Sequence, residues 1–162
     1  MVTAVEFKNG MRHLSGAVSI ITTQNDGAPA GMTATAVCSL TADPPMLLIC
    51  INKDATSHQP IRTTRRFAVN VLSSDDVGTA RRFCVGDMRS RFQVGCWNRL
   101  PSGNLALESS LVTFDCSLCE DIQVETHSIF IGCVEEVIVR AKSTPLVYIN
   151  GQYAHVIPRG NF

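Results

Sequence analysis

Short apolar runs, separated by polar or turn-forming residues, recur along most of the chain. Some are rich in β-branched side chains, and others alternate between apolar and polar positions, a pattern that predicts strands with one buried face. The runs that predict strands are residues 17–23, 31–39, 46–51, 67–72, 111–119, 128–134, 135–140, 146–149 and 153–157. We therefore expect a protein built mainly from β-strands.

Turn sequences join several of these runs into hairpins. Asp26-Gly27 follows the first run and can supply the positive φ angles of a tight hairpin turn, and Asn150-Gly151 does the same between the last two runs. Asp43-Pro44-Pro45 marks a further turn before residues 46–51. Strands connected mostly by short turns favour an antiparallel barrel over a fold in which strands and helices alternate.

Helices are predicted to be few and short. Residues 7–14 place apolar side chains at helical spacing, and residues 57–64 offer Ser57 as an N-cap. A third helix is expected after the polar residues 73–76. The pattern breaks over residues 86–104, which contain Gly, Pro, Asn, Arg and the one Trp, so we predict a long functional loop with at most a helical turn.

The length of the chain, 162 residues, predicts one domain spanning residues 1–162. Its 14 basic and 14 acidic residues cancel, so no global charge favours a nucleic-acid polymer or an anionic membrane. No run of about 18 apolar residues predicts a membrane span, and the first ten residues lack a signal-peptide pattern. Seven cysteines, an odd number in apolar surroundings, predict reduced thiols in a cytoplasmic protein.

Common site motifs do not account for the chain. Cys116 and Cys119 have a redox or metal spacing, but residues three apart on a strand point to opposite faces, so structural thiols are favoured. The four histidines show no metal-ligand spacing, and no metal site is predicted. The motifs of Rossmann dinucleotide sites, P-loops and nucleophile elbows are absent. A nucleotide would have to be held in another way.

Two stretches suggest a ligand. Small residues and hydroxyls over residues 33–39 indicate that something approaches the backbone closely, although an ordinary strand of small residues fits equally well. The next apolar run ends in Asn52, Lys53, Thr56 and Ser57, where an anion could be held.

Charged residues elsewhere leave two interpretations open. The arginines at 81, 82, 89 and 91 could neutralise phosphates or form an ordinary solvated face. His127, at the junction of two predicted strands, could be a catalytic residue on a barrel rim or a histidine of a surface turn.

Eight segments in chain order resemble the flavin reductase family, whose members supply reduced flavin to two-component monooxygenases. The segments are Gly16-Ala-Val-Ser-Ile-Ile-Thr-Thr, Gly31-Met-Thr-Ala-Thr-Ala-Val-Cys-Ser-Leu, Asp43-Pro-Pro, Ile51-Asn-Lys, Phe67-Ala-Val-Asn-Val-Leu, Arg91-Phe92, Thr126-His-Ser-Ile-Phe-Ile-Gly-Cys-Val and Pro145-Leu-Val-Tyr. The resemblance implies the split β-barrel of FMN-binding proteins, an antiparallel Greek-key barrel with a few short helices.

The same resemblance implies a set of site residues. Met32, Thr33, Ala34 and Thr35 would face the isoalloxazine ring, Ser39, Asn52, Lys53 and Ser57 would hold the ribityl chain and phosphate, and Arg82, Phe83, Arg91 and Phe92 would close over the flavin tail. His127 would lie beside the nicotinamide as the catalytic residue. Many relatives have Gly-Asp before this histidine, whereas this chain has Glu125-Thr126.

The implied activity is that of an NAD(P)H:flavin oxidoreductase, in which hydride passes from C4 of the nicotinamide to N5 of FMN or FAD. The resemblance also implies a homodimer and an oxygenase partner, and it leaves the choice between NADH and NADPH open. Two other functions remain as alternatives: a flavin-binding sensor or carrier without turnover, and a reductase of another acceptor such as a corrinoid.

Overall fold

The computed structural model describes residues 1–140 and 143–157, without the side chains of Asn25 and Arg89. Strands form about half of this part of the chain, and the helices are short. In chain order the elements are α1 Ala4–Met11, β1 Gly16–Ala17, β2 Ser19–Asn25, β3 Ala28–Ala34, β4 Val37–Ala42, β5 Pro45–Asn52, α2 His58–Thr64, β6 Arg66–Val71, α3 Val77–Val85, α4 Met88–Arg91, β7 Trp97–Arg99, β8 Leu105–Leu107, β9 Val112–Val124, β10 His127–Val139, β11 Leu146–Ile149 and β12 Gln152–His155.

Seven strands form an antiparallel sheet in the order β3-β2-β6-β9-β10-β5-β4. Its two outer strands, β3 and β4, are consecutive in the chain and are joined by Thr35 and Ala36. The backbone N–H of Cys50 donates to the carbonyl oxygen of Ala36 at 3.1 Å, which holds this corner against β5. The two edges of the sheet therefore come together, and the predicted antiparallel barrel is confirmed.

The interior is filled by the inward-facing side chains of the alternating strands. One buried cluster includes Ile21, Ile49, Phe67, Val69 and Phe130, all fully buried. A second cluster lies beneath α3 and includes Phe83 together with Leu72, Leu107 and Leu146. The period-two pattern of the sequence thus separates a core face from a solvent face, as expected for strands that are covered on one side.

A small sheet of β1, β11 and β12 lies beside the barrel. Asn150 and Gly151 have φ angles of 51° and 80°, the left-handed values that a tight hairpin turn requires, so the predicted hairpin is confirmed. The N–H of Asn150 donates to the carbonyl oxygen of Arg12 at 2.7 Å. This bond fixes the β11–β12 hairpin next to the end of α1.

Several regions differ from the sequence prediction. Residues 31–39, predicted as one strand, are divided between β3 and β4. The first helix is Ala4–Met11 instead of residues 7–14, because Thr3 and Glu6 form a capping box that starts it earlier. Residues 86–104 contain α4 and β7, and β7 pairs with β8, which the sequence did not predict. Residues 127–139 form one long strand, β10, where two strands were predicted.

Cys119 and Cys133 form a disulfide, with their Cα atoms 6.2 Å apart. The expectation that all seven thiols are reduced is therefore wrong for this pair. The β9–β10 register shifts at Cys119, between the pairs Gly132↔Leu118 and Ile131↔Glu120, and this extra residue brings Cys119 next to Cys133. The other five cysteines are free, and burial raises the pKa of the Cys116 thiol to about 12, so Cys116 is a structural thiol.

Within the described ranges, no helix is both long and apolar enough to cross a membrane. The same residues contain no group of three His, Cys, Asp or Glu side chains that could hold a metal ion.

Candidate active site

Strand β3 lies very close to the aromatic side chains that follow β6 in the chain. A Cβ atom placed on Gly31 would lie 3.0 Å from Phe83, 3.1 Å from Phe92 and 2.9 Å from the carbonyl oxygen of Ile21. Because glycine has no Cβ, the two aromatic rings can pack directly on the backbone of the strand.

Phe83 of α3 and Phe92, which follows α4, form an aromatic cluster with Trp97. The ring centroids are 5.0 Å apart for Phe83 and Phe92, 5.4 Å for Phe83 and Trp97, and 5.1 Å for Phe92 and Trp97. Contacts of this geometry stabilise a protein by about 0.5–1.5 kcal/mol each beyond the burial of their area. The cluster therefore holds α3 and α4 firmly against β3.

Arg91, at the end of α4, links three parts of the chain. Its Nη1 donates to the carbonyl oxygen of Gly31 at 2.7 Å and to Oγ1 of Thr56 at 3.0 Å. Its Nε donates to the carbonyl oxygen of Gly86 at 2.8 Å. A guanidinium has five N–H donors, so Arg91 keeps donors on Nη2 that no described residue uses.

These groups surround a cleft of about 360 Å³ on the outer side of β3. The residues that line it are Met32, Thr33, Asp54, Ala55, Thr56, Phe83, Cys84 and Arg91. Strand β3 pairs with β2 alone, so along its other edge its backbone faces α3, α4 and this cleft. We call this cleft the Arg91 cleft.

A second cleft, of about 280 Å³, continues along β3 and has an aromatic wall. It is lined by Val18, Thr33, Ala34, Thr35, Cys84, Tyr148 and Tyr153. The rings of Tyr148 and Tyr153 meet edge to face with their centroids 5.4 Å apart. Burial, followed by the nearby Cys84 thiol, raises the pKa of Tyr153 to about 12, so its hydroxyl keeps its proton at neutral pH. We call this the tyrosine cleft.

The loop after β5 lies next to His127. His127 is opposite Asn52 in the pairing of β10 with β5, and the N–H of Lys53 donates to the carbonyl oxygen of Thr126 at 2.9 Å. The exposed imidazole has its Nδ1 2.8 Å from Oγ1 of Thr126, which fixes the orientation of the ring. The predicted anion-binding loop and the predicted catalytic histidine are therefore neighbours.

His58, the first residue of α2, connects this loop to β10 from the inside. Its Nε2 lies 2.8 Å from Oγ of Ser128, and its ring packs on Phe130 with the centroids 5.2 Å apart. The residue is 5% exposed, and burial, with a smaller contribution from Arg62, lowers the pKa of His58. A neutral imidazole thus holds the start of α2 beside the residue that follows His127.

Six of the residues implied by the family resemblance lie together along the outer edge of β3. They are Met32, Thr33, Ala34, Thr35, Phe83 and Arg91, which line the two clefts. Phe92 lies directly behind them in the aromatic cluster. The Thr33 hydroxyl donates to the carbonyl oxygen of Ala80 at 2.8 Å, so it also holds β3 against α3.

Other predicted residues lie outside these clefts. Asn52 ends β5 and Lys53 follows it, and the side chain of Arg82 is exposed on α3. Ser39 lines a separate apolar cleft between β4, β5, β9 and β10. Ser57 precedes α2 as predicted, but its Oγ is buried and has no hydrogen-bond partner among the described residues.

Sequence reasoning missed the aromatic wall formed by Tyr148 and Tyr153, as well as Cys84. The hairpin that carries the tyrosines was predicted, but its position beside β3 depends on the pairing of β11 with β1, over 130 residues away in the chain. Thr56 was noticed as part of a polar loop and was not selected as a site residue. The side chain of Arg89 lies outside the described structure.

The model of the flavin reductase like domain matches residues 11–156. The chain belongs to this family. It is 37% identical to the FMN reductase (NADH) RutF of Methylorubrum populi over 159 residues, 98% of this chain and 78% of that protein. It is 31% identical to the 4-hydroxyphenylacetate 3-monooxygenase reductase component of Escherichia coli, covering 94% of this chain and 92% of the other.

A solved structure of the Streptomyces globisporus NADH:FAD oxidoreductase, in complex with NAD and FAD fragments, superimposes on this flavin reductase family member with a TM-score of 0.91. The two chains are 25% identical, and the match covers 97% of this chain and 94% of that one. The family and the split-barrel fold inferred from the sequence are both confirmed.

We predict that His58→Gln changes how stability depends on pH. Since the folded-state pKa of His58 is below its unfolded value of about 6.5, the unfolded chain binds the extra proton first as the pH falls. The His58 contribution is complete above that pH and is lost as the pH falls toward the folded-state pKa. The variant should unfold more easily at pH 7, by about 1–2 kcal/mol, and lose less stability than wild type between pH 7 and 5.

Urea unfolding at several pH values measures both effects. His13→Gln, a change at an exposed histidine, serves as the control and should follow the wild-type profile. Parallel wild-type and His58→Gln profiles would show that His58 does not contribute to the pH dependence.

Proposed function

We propose that this protein is an NADH-dependent flavin reductase that supplies reduced flavin to a partner monooxygenase. The observation that carries the proposal is the pair of continuous clefts along β3, with the Arg91 guanidinium and the Thr56 hydroxyl at one end, in a member of this family. Two of its relatives are an NADH-dependent FMN reductase and the reductase component of a monooxygenase.

The residues along β3 fit a flavin. A flat ring can lie against Met32, Thr33, Ala34 and Thr35 because the residues at this edge are small or half-buried and β3 has no strand on that side. The Nη2 donors of Arg91, which no described residue uses, are suited to an oxygen of an anionic phosphate, while Nε and Nη1 keep the guanidinium in place. We assign the phosphate end to the Arg91 cleft and the ring to the edge of β3.

Some of the remaining predicted binding residues can contribute to the proposed flavin site, and others do not reach it. Asn52 and Lys53 can contribute from the end of β5 and the loop after it. Arg82 and Phe83 can contribute from α3, while Phe92 supports the ring of Phe83. Ser39 and Ser57 stay predictions from the family resemblance, because neither hydroxyl reaches the clefts along β3.

A bound flavin would supply the redox chemistry by accepting a hydride from the reduced nicotinamide. The protein supplies binding, orientation and exclusion of water. No acid–base pair is needed for a direct hydride transfer between the two cofactors. We assign His127 to the nicotinamide side of the flavin.

We infer FMN as the flavin and NADH as the reductant. Support comes from the names of the Methylorubrum relatives, which are FMN reductases that use NADH. FAD and NADPH are the alternatives, and the NADH oxidation assay described next distinguishes them from FMN and NADH.

The purified protein should oxidise NADH only when flavin is present, and more efficiently with FMN than with FAD. Absorbance at 340 nm, followed with NADH or NADPH and with FMN, FAD or riboflavin, measures kcat and KM for each pair. Flavin binding without any oxidation would contradict the proposal and favour a flavin sensor or carrier.

His127→Ala should slow reduction of the bound flavin by about 10- to 100-fold, because the nicotinamide would lose its orientation. The dissociation constant of the flavin should change less than about twofold. Stopped-flow absorbance measures reduction, and His155→Ala, at another exposed histidine, is the matched control. An unchanged reduction rate would show that His127 is a surface turn residue with no role in hydride transfer.

We also infer a homodimer formed through the apolar face around the β4–β10 cleft, whose lining includes Val37, Phe114 and Val137. Val137 is 49% exposed there, and a second copy of the chain would cover it. Val137→Arg should then shift the protein to a monomer in sedimentation analysis. Ile122→Arg, which changes an exposed apolar residue on β9, is the control and should leave the dimer intact. A monomeric wild type would contradict the inference.

The cytoplasmic location stays a prediction from the sequence.

A further inference from the structure

The tyrosine cleft continues into a third cleft, of about 430 Å³, next to the end of α1. Its lining residues are Met11, Arg12, Leu14, Ser15, Gly16, Thr35, Ala36 and Tyr148. Thr35 and Tyr148 belong to both clefts, just as Thr33 and Cys84 belong to both the tyrosine cleft and the Arg91 cleft. The three clefts therefore form one trough along β3, with Arg91 at one end and Arg12 at the other.

The Arg12 guanidinium is available to a ligand. Most other arginines are engaged: Arg62 and Arg66 form ion pairs, and Arg65, Arg91, Arg99 and Arg140 donate hydrogen bonds. Arg12 has no ion pair and no side-chain hydrogen bond within residues 1–140 and 143–157. A positive charge thus stands unused beside a lining that is otherwise mostly apolar.

Arg12 is also held in place by its neighbours. Its carbonyl oxygen accepts the N–H of Asn150 at 2.7 Å, which anchors the residue to the β11–β12 turn. Its Nη2 lies only 3.2 Å from the position that a Cβ on Gly151 would occupy, so the guanidinium rests over a residue without a side chain. The backbone of Arg12 is therefore fixed at the edge of the trough, and its guanidinium lies beside the β11–β12 turn.

The chemistry of this end suits the adenosine diphosphate part of a dinucleotide. Met11, Leu14 and Tyr148 offer apolar and aromatic surface to a planar base, and Arg12 offers a planar cation to a phosphate. The proposed flavin ring occupies the middle of the trough and the flavin phosphate its Arg91 end. A dinucleotide whose reacting ring meets the flavin would extend toward Arg12.

We propose that Arg12 binds the pyrophosphate of a dinucleotide whose adenosine lies on Met11, Leu14 and Tyr148. This inference rests on the proposed function. The dinucleotide is NADH, and its truncated counterpart is reduced nicotinamide mononucleotide. FAD does not fit, because its pyrophosphate includes the flavin phosphate, which we assign to the Arg91 end of the trough.

The test compares wild type with Arg12→Met, which keeps an apolar stem of similar length and removes the charge. With FMN as the flavin, the KM for NADH should rise about three- to fivefold, the range expected for an exposed ion pair. The kcat, the KM for FMN and the KM for reduced nicotinamide mononucleotide should not change. Raising the salt concentration should reduce the difference between the two proteins.

Lys8→Met removes a positive charge from the same helix outside the trough and serves as the matched control. A rise in the KM for FAD relative to that for FMN, with the KM for NADH unchanged, would overturn the proposal. Equal rises for NADH and the reduced mononucleotide, or no rise for NADH, would overturn it as well.

Binding of 5′-ADP, measured by calorimetry, separates this inference from the proposed function. A protein that does not oxidise NADH but binds 5′-ADP more weakly after Arg12→Met would refute the reductase proposal and support the Arg12 site. A 5′-ADP dissociation constant that is the same in both proteins would overturn the site.

Discussion

The packing of Phe83 and Phe92 on the backbone of Gly31 determines the geometry of the site. Any larger residue at position 31 would bring a Cβ within 3.1 Å of both rings, and α3 and α4 would have to move away from β3. With the helices in place, Arg91 reaches the Gly31 carbonyl oxygen and the Thr56 hydroxyl, which closes one end of the trough. A contact between core aromatic rings and a strand therefore sets the position of a cation that faces the proposed ligand.

The closure of the barrel also constrains the position of the site. Because β3 and β4 are the outer strands of the sheet and follow each other in the chain, the turn at Thr35 and Ala36 lies where the barrel closes. The outer edge of β3 has no strand partner, so its backbone and small side chains face the trough. An unpaired strand edge can pair with other chains and cause aggregation. Here the helices and the β11–β12 hairpin cover part of the β3 edge.

Local sequence patterns predicted most of the strands and both tight hairpins, whereas the candidate floor of the site came from the family resemblance and stays a prediction. The turn residues Asp26-Gly27 and Asn150-Gly151 have positive φ angles in the structure, which explains why those signals were reliable. Contacts between distant segments were not predictable in this way. Tyr148 lines the trough because β11 pairs with β1. The Cys119–Cys133 disulfide depends on a register shift between β9 and β10 that the residue pattern does not predict. The orientation of a side chain was not predictable either. The sequence identified Ser57 as an N-cap position, but its hydroxyl is buried and has no hydrogen-bond partner among the described residues.

The central claim is that flavin lies along the outer edge of β3 with its phosphate at the Arg91 cleft. It is tested most directly by the amide ¹H–¹⁵N chemical shifts of the protein during titration with FMN. The account predicts that the largest changes occur in residues 31–35 and 54–56 and in the side-chain N–H groups of Arg91. Changes concentrated instead around Ser39 and Val137, in the apolar cleft on β4 and β10, would contradict it.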